Sequence, residues 1–85
     1  MEIHKKVDIL KEIDSNIITY DGLDSAIIGY CDIFNKTIAI YNKDKVIEIL
    51  MDKNNWTEDD AQEFYEYNII GTYAGELTPG FFTYL

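Results

Sequence analysis

The stretch Ala26-Ile-Ile-Gly-Tyr-Cys31, Asp32-Ile-Phe-Asn-Lys36, Thr37-Ile-Ala-Ile-Tyr41 decides the fold. Its two apolar segments are rich in β-branched and aromatic residues, which suit a pleated, half-buried surface. Residues 37–41 alternate as a strand should. The polar connection at Asp32–Lys36, centred on Asn35-Lys36, is short enough that the two strands must form an antiparallel hairpin. Gly29 inside the first strand marks a bulge or a close backbone approach. Asn42 follows at once and supplies the short side-chain acceptor of a helix N-cap. Val46, Ile47, Leu50 and Met51 then share one helical face. A helix over 43–53 follows, closed by Lys53-Asn54-Asn55.

Upstream, Ile3, Val7, Leu10 and either Ile9 or Ile13 recur at helical spacing, which predicts a helix over 2–14 that Asn16 stops. Residues 17–20 have strand composition, and Asp21-Gly22 signals a turn that Asp24-Ser25 extends. Downstream, Thr57 caps a third helix, with Glu58, Asp59 and Asp60 in its first turn where the helix dipole favours anions. Asp60 makes a weaker form of the capping box, and Trp56 stands just before the cap. Ala61, Phe64, Tyr65, Asn68 and Thr72 fall on one stripe at 3.6-residue periodicity. The helix is predicted to pass Gly71 and stop at Gly75, with Pro79 beyond. The tail, residues 80–85, is apolar enough to add an edge strand or cover the core. The element order predicts an α+β domain: a small antiparallel sheet of about three strands, with helices packed on one face. Residues 1–85 read as a single domain.

Composition narrows the function. Nearly half of the 85 residues are hydrophobic, so the chain can build one modest core. The formal charge is −9 and arginine is absent, so nothing here neutralises a run of phosphates, and direct nucleic-acid binding is not expected. Cys31 is the lone cysteine, which excludes an intramolecular disulfide and fits a reducing cytosolic setting. The first residues lack the apolar core of a signal peptide. No apolar run approaches the roughly 18 residues of a membrane-spanning helix.

Few residues offer chemistry. One His and one Cys, in different segments, do not make a zinc site, and Asp21, Asp24 and Asp32 do not follow a calcium-binding loop. Gly71-x-x-x-Gly75 lacks the Lys and Ser/Thr of a phosphate-binding loop. No catalytic residue, metal or cofactor is expected. The last third of the chain remains. It carries six of the sixteen carboxylates and no basic residue after Lys53. There Asp59, Glu63 and Glu66 can form a ridge of carboxylates beside Tyr67, an arrangement that suits a basic groove on a partner. Asn68, an amide on the apolar stripe, needs hydrogen-bond partners. It either ties the helix to the hairpin or tail backbone, or lines a ligand pocket with Tyr67, Tyr73, Gly75 and Thr78.

Four segments together are distinctive: Asp21-Gly-Leu-Asp-Ser-Ala-Ile-Ile-Gly29, Tyr41-Asn-Lys-Asp-Lys-Val-Ile-Glu-Ile-Leu-Met51, Thr57-Glu-Asp-Asp-Ala61 and Tyr67-Asn-Ile-Ile-Gly-Thr-Tyr-Ala-Gly-Glu-Leu-Thr-Pro79. Over about residues 21–82 the chain resembles a widespread group of small bacteriophage and prophage proteins. The Tyr-Asn…Gly…Thr-Pro ending is the specific part. Thr72 stands where that group usually has Ala, and Asn42 where it has Asp. The resemblance implies a phage origin and hence the host cytoplasm, and it brings no catalytic residues with it. The expected role is binding: a host-interaction or anti-defence inhibitor that docks Asp59, Glu63, Glu66 and Tyr67 on a host protein with a basic surface, such as a nucleic-acid-binding or defence protein. The alternatives are a small-ligand binder that sequesters a nucleotide signal, and a structural homodimer.

Overall fold

The structure, a computed structural model, describes residues 4–85. In order they form helix α1 (His4–Ile13), a 3-10 turn (Asp24–Ala26), strands β1 (Ile27–Ile33) and β2 (Lys36–Asn42), helices α2 (Lys43–Asn54) and α3 (Glu58–Tyr65), a π-helical turn (Glu66–Ile70) and strand β3 (Gly80–Phe82). The expected start of the first helix, with Ile3, lies outside the described residues. In α1, Leu10 is buried and Val7 packs against the core, while Ile9 and Ile13 are both exposed.

β1 and β2 pair antiparallel from Ile27↔Tyr41 to Ile33↔Lys36. The turn is therefore only Phe34-Asn35, tighter than the expected Asp32–Lys36 connection. Asp32 instead accepts a hydrogen bond from the Thr37 hydroxyl across the ladder (2.9 Å). Phe34 is 98 % exposed with φ 54°, a left-handed backbone that Gly or Asn adopts more cheaply. The register shifts between Ile27 and Gly29, the bulge that the glycine predicts.

The third strand is the tail. β3 lies against β2, parallel, with Ile40↔Gly80 and Asn42↔Phe82. The sheet order is β1-β2-β3. The fold is thus the expected α+β class, with a mixed sheet rather than an all-antiparallel one. Residues 17–20, read as a strand, are not one. The backbone bonds they make are not ladder bonds. Ile17 N donates to Asp14 O, Lys11 Nζ donates to Ile17 O, and Tyr20 N donates to the Tyr41 hydroxyl at 2.8 Å. Their strand-like composition reflects burial, since Ile17 is 1 % exposed, and not ladder pairing. At Gly80 a Cβ would sit 3.0 Å from Ile40 Cδ1, so a small residue lets β3 approach.

One contiguous core joins Leu10, Ile17, Leu23 and Ile27 to Ala39, Tyr41, Val46, Ile47, Leu50, Ala61, Tyr65 and Ile69. Tyr41 is its centre. Its ring packs 5.5 Å from Phe81 and 5.7 Å from Tyr20, and Phe81 meets the Tyr65 ring edge-on at 5.4 Å.

The caps hold α2 and α3 in place. Asn42 Oδ1 accepts from Lys45 N (3.2 Å) and Thr57 Oγ1 accepts from Asp60 N (3.2 Å). Asn55 closes α2 in the left-handed conformation (φ 56°), and Trp56 N donates back to Met51 O. Beyond Tyr65 the chain departs from expectation. The helix widens into the π-helical turn and ends at Gly71, short of Gly75. A wider turn bonds i→i+5 and adds nearly one residue per turn. Ile69 is therefore carried into the core beneath Tyr65, and Asn68, which a regular helix would point inward, is exposed.

Candidate functional site

α3 and the π-helical turn build an acidic, aromatic groove. Thr57 fixes the start of the helix, and residues 60, 63, 64 and 67 then recur three and four apart, so their side chains share one face. Trp56, placed by the left-handed close of α2, leans onto this face. Its ring lies 5.2 Å from that of Phe64, tilted by 47°. Trp56, Asp60, Glu63, Phe64, Tyr67 and Asn68 line a shallow depression of about 410 Å³. Tyr67, 75 % exposed, forms an open wall.

Of the expected partner-binding residues, Glu63 and Tyr67 lie in this groove. Asp59 is exposed one turn before Glu63. Glu66 is also exposed and accepts a hydrogen bond from Gln62 Nε2 (3.0 Å). Among the described residues, the carboxylates of Asp59, Asp60 and Glu63 have no ion pair or hydrogen bond. No lysine lines the groove: Lys53 shares a separate depression with Phe64 and has its Nζ beside Gly22, Lys43 Nζ sits 5.4 Å from the centroid of the Tyr65 ring, and Lys45 pairs with Glu48 at 2.7 Å. The groove is therefore a site of uncompensated negative charge set against π-faces.

Of the residues expected to line a ligand pocket, Asn68 and Tyr67 share the groove, and Tyr73, Gly75 and Thr78 do not join them. Asn68 donates Nδ2 to Phe64 O (3.3 Å) within its own helix, and so ties the helix neither to the hairpin nor to the tail. Tyr73 is 76 % exposed. Gly75, at φ 112°, and Thr78 form a tight turn. The Thr78 hydroxyl accepts from Ala74 N (2.9 Å) and donates to Gly75 O (2.6 Å). That turn delivers the buried Pro79 to the start of β3.

Sequence reasoning missed Trp56, Asp60 and Phe64 as groove residues. The signal was the spacing 56, 60, 63, 67, masked because Phe64 fell on the apolar stripe and Trp56 stood outside the helix, just before its cap. A second depression, about 460 Å³ and mostly apolar, lies between α1 and β1, where Lys6 Nζ donates to Ile27 O (2.8 Å) beside Ile9, Ile28 and Tyr30. Among the described residues, no three His, Cys, Asp or Glu side chains converge as a metal centre requires. No described helix is long and apolar enough to cross a membrane. Site and fold together describe a small α+β domain with one carboxylate-rich aromatic face. The chain matches no family model, no curated protein and no solved structure.

Proposed function

We propose that this chain is a small bacteriophage protein that acts by binding, docking the acidic aromatic face of α3 on a basic site of a host protein and so inhibiting it. The observation that carries this reading is the groove. Asp60 and Glu63 stand uncompensated beside Trp56, Phe64 and Tyr67, with Asp59 and Glu66 exposed outside the groove and no basic residue in the sequence after Lys53. Like-signed charge on one face steers a basic partner and rejects acidic ones. The aromatic rings add the desolvated contact area from which interface hot spots are made. A nucleic-acid-binding or defence protein has the matching basic surface.

The test is a variant with Asp59→Asn, Glu63→Gln and Glu66→Gln. All three side chains are exposed, so the variant should stay folded, its thermal midpoint lowered only by the small loss of the Asp59 charge from the first turn of α3. The wild-type chain is expected to retain its host protein at low salt and release it at high salt, because Debye screening weakens exposed charge pairs. The variant should fail to retain it at either. Equal capture by both chains, insensitive to salt, overturns the reading.

A further inference from the structure

We propose that the groove between Trp56 and Tyr67 is the seat of one arginine side chain of the partner, an inference that rests on the acidic-face reading above. The lining selects the occupant. An anion would meet Asp60 and Glu63. An apolar side chain would gain from Trp56, Phe64 and Tyr67 but would desolvate both carboxylates without pairing them. A cation satisfies both sets at once, since aromatic faces attract positive charge and carboxylates neutralise it.

Arginine fits better than lysine. Its guanidinium is planar and weakly hydrated, stacks on aromatic rings, and presents a fork of five donors. An ammonium is a strongly hydrated point charge that gains less from a ring face. The acceptors available to the fork are the carboxylates of Asp60 and Glu63 and the Oδ1 of Asn68, whose Nδ2 is already committed to Phe64 O. Among the described residues nothing fills the seat: arginine is absent from the sequence, no lysine lines the groove, and Lys53, which shares a neighbouring depression with Phe64, has its Nζ beside Gly22. Trp56 and Phe64 pack against each other and Trp56 packs on the core, so two of the three rings are held in place before a partner arrives.

Trp56 is the only tryptophan, so its emission reports on the groove directly. The experiment titrates the full chain with capped hexa-arginine and capped hexa-lysine at low salt, following Trp56 fluorescence and binding heat. Hexa-arginine is expected to alter the emission and to bind about threefold more tightly than hexa-lysine. Tyr67→Leu, at an exposed position, should bring hexa-arginine down to the hexa-lysine affinity without lowering the thermal midpoint. Suppose the two peptides bind equally and leave the emission unchanged, while salt and the Asp59/Glu63/Glu66 variant still abolish binding. The arginine seat is then overturned and the acidic docking face stands. If neither peptide binds, the acidic face itself fails, and the seat with it.

Discussion

Tyr20 and Tyr41 are the same residue type in one aromatic cluster, and their hydroxyls do opposite things. The Tyr41 hydroxyl accepts from Tyr20 N at 2.8 Å inside a side chain with no exposed surface. The buried Tyr20 hydroxyl has no partner among the described residues. Removing an acceptor strands a donor, whereas removing an unpartnered polar atom relieves a desolvation cost. Tyr41→Phe is therefore expected to cost about 1–3 kcal/mol and Tyr20→Phe to gain up to about 1 kcal/mol. Urea midpoints at constant m-value read both. Nothing in the sequence distinguished the two, because the distinction arises only when residues twenty-one apart meet. Asn68 carries the complementary lesson. Its position on a 3.6-residue stripe set it among apolar residues and in need of a distant partner, and a single wide turn left it exposed and bonded to Phe64 O in its own helix.

At the scale of elements, that turn depends on Gly71. A Cβ there would lie 2.7 Å from Glu66 O, a backbone atom within the π-helical turn itself. Gly71→Ala is expected to destabilise the chain by about 1–3 kcal/mol, as overpacking does, and to shift the Trp56 emission as the groove wall moves. Loss of stability with unchanged emission would separate the turn from the groove. Whatever is encoded locally was legible: Asn42 and Thr57 cap where their side chains allow, Asn55 stops α2, and Gly29 makes the bulge. What depends on distant contacts was not. Residues 17–20 have the composition of a strand, yet β3 holds the place beside β2, because Gly80 permits the close approach and Phe81 covers Tyr41. In the groove, Glu63 and Tyr67 were legible from charge and spacing. Trp56 required knowing how α2 ends.

For the whole molecule, the core tyrosines couple stability to pH. Burial pushes the phenols of Tyr20, Tyr41 and Tyr65 above their ordinary value of 10.0, since an interior disfavours the phenolate. At Tyr41 the bond from Tyr20 N opposes the shift, and the carboxylates of Asp24 and Asp21 add to it. In the unfolded chain these groups ionise first. The stability they contribute is complete below pH 10.0 and is lost as pH rises through the folded values. Denaturation midpoints should thus hold up to that pH and fall beyond it. A midpoint unaffected by alkali would refute the coupling. The excess of acids over lysines works in the same direction, because added phenolate charge increases self-repulsion.

The lysine-free third of the chain also decides how this surface can be probed chemically. Trypsin has no site after Lys53, so residues 54–85, with α3, the groove and β3, leave the digest as one peptide. Amine-reactive cross-linkers find no anchor on that face. Carbodiimide reverses the situation: it activates Asp59, Asp60 and Glu63, no lysine lines the groove to consume them, and an amide formed there carries an amine from outside this segment. The same asymmetry that makes the face acidic lets a zero-length cross-link and one long peptide map it.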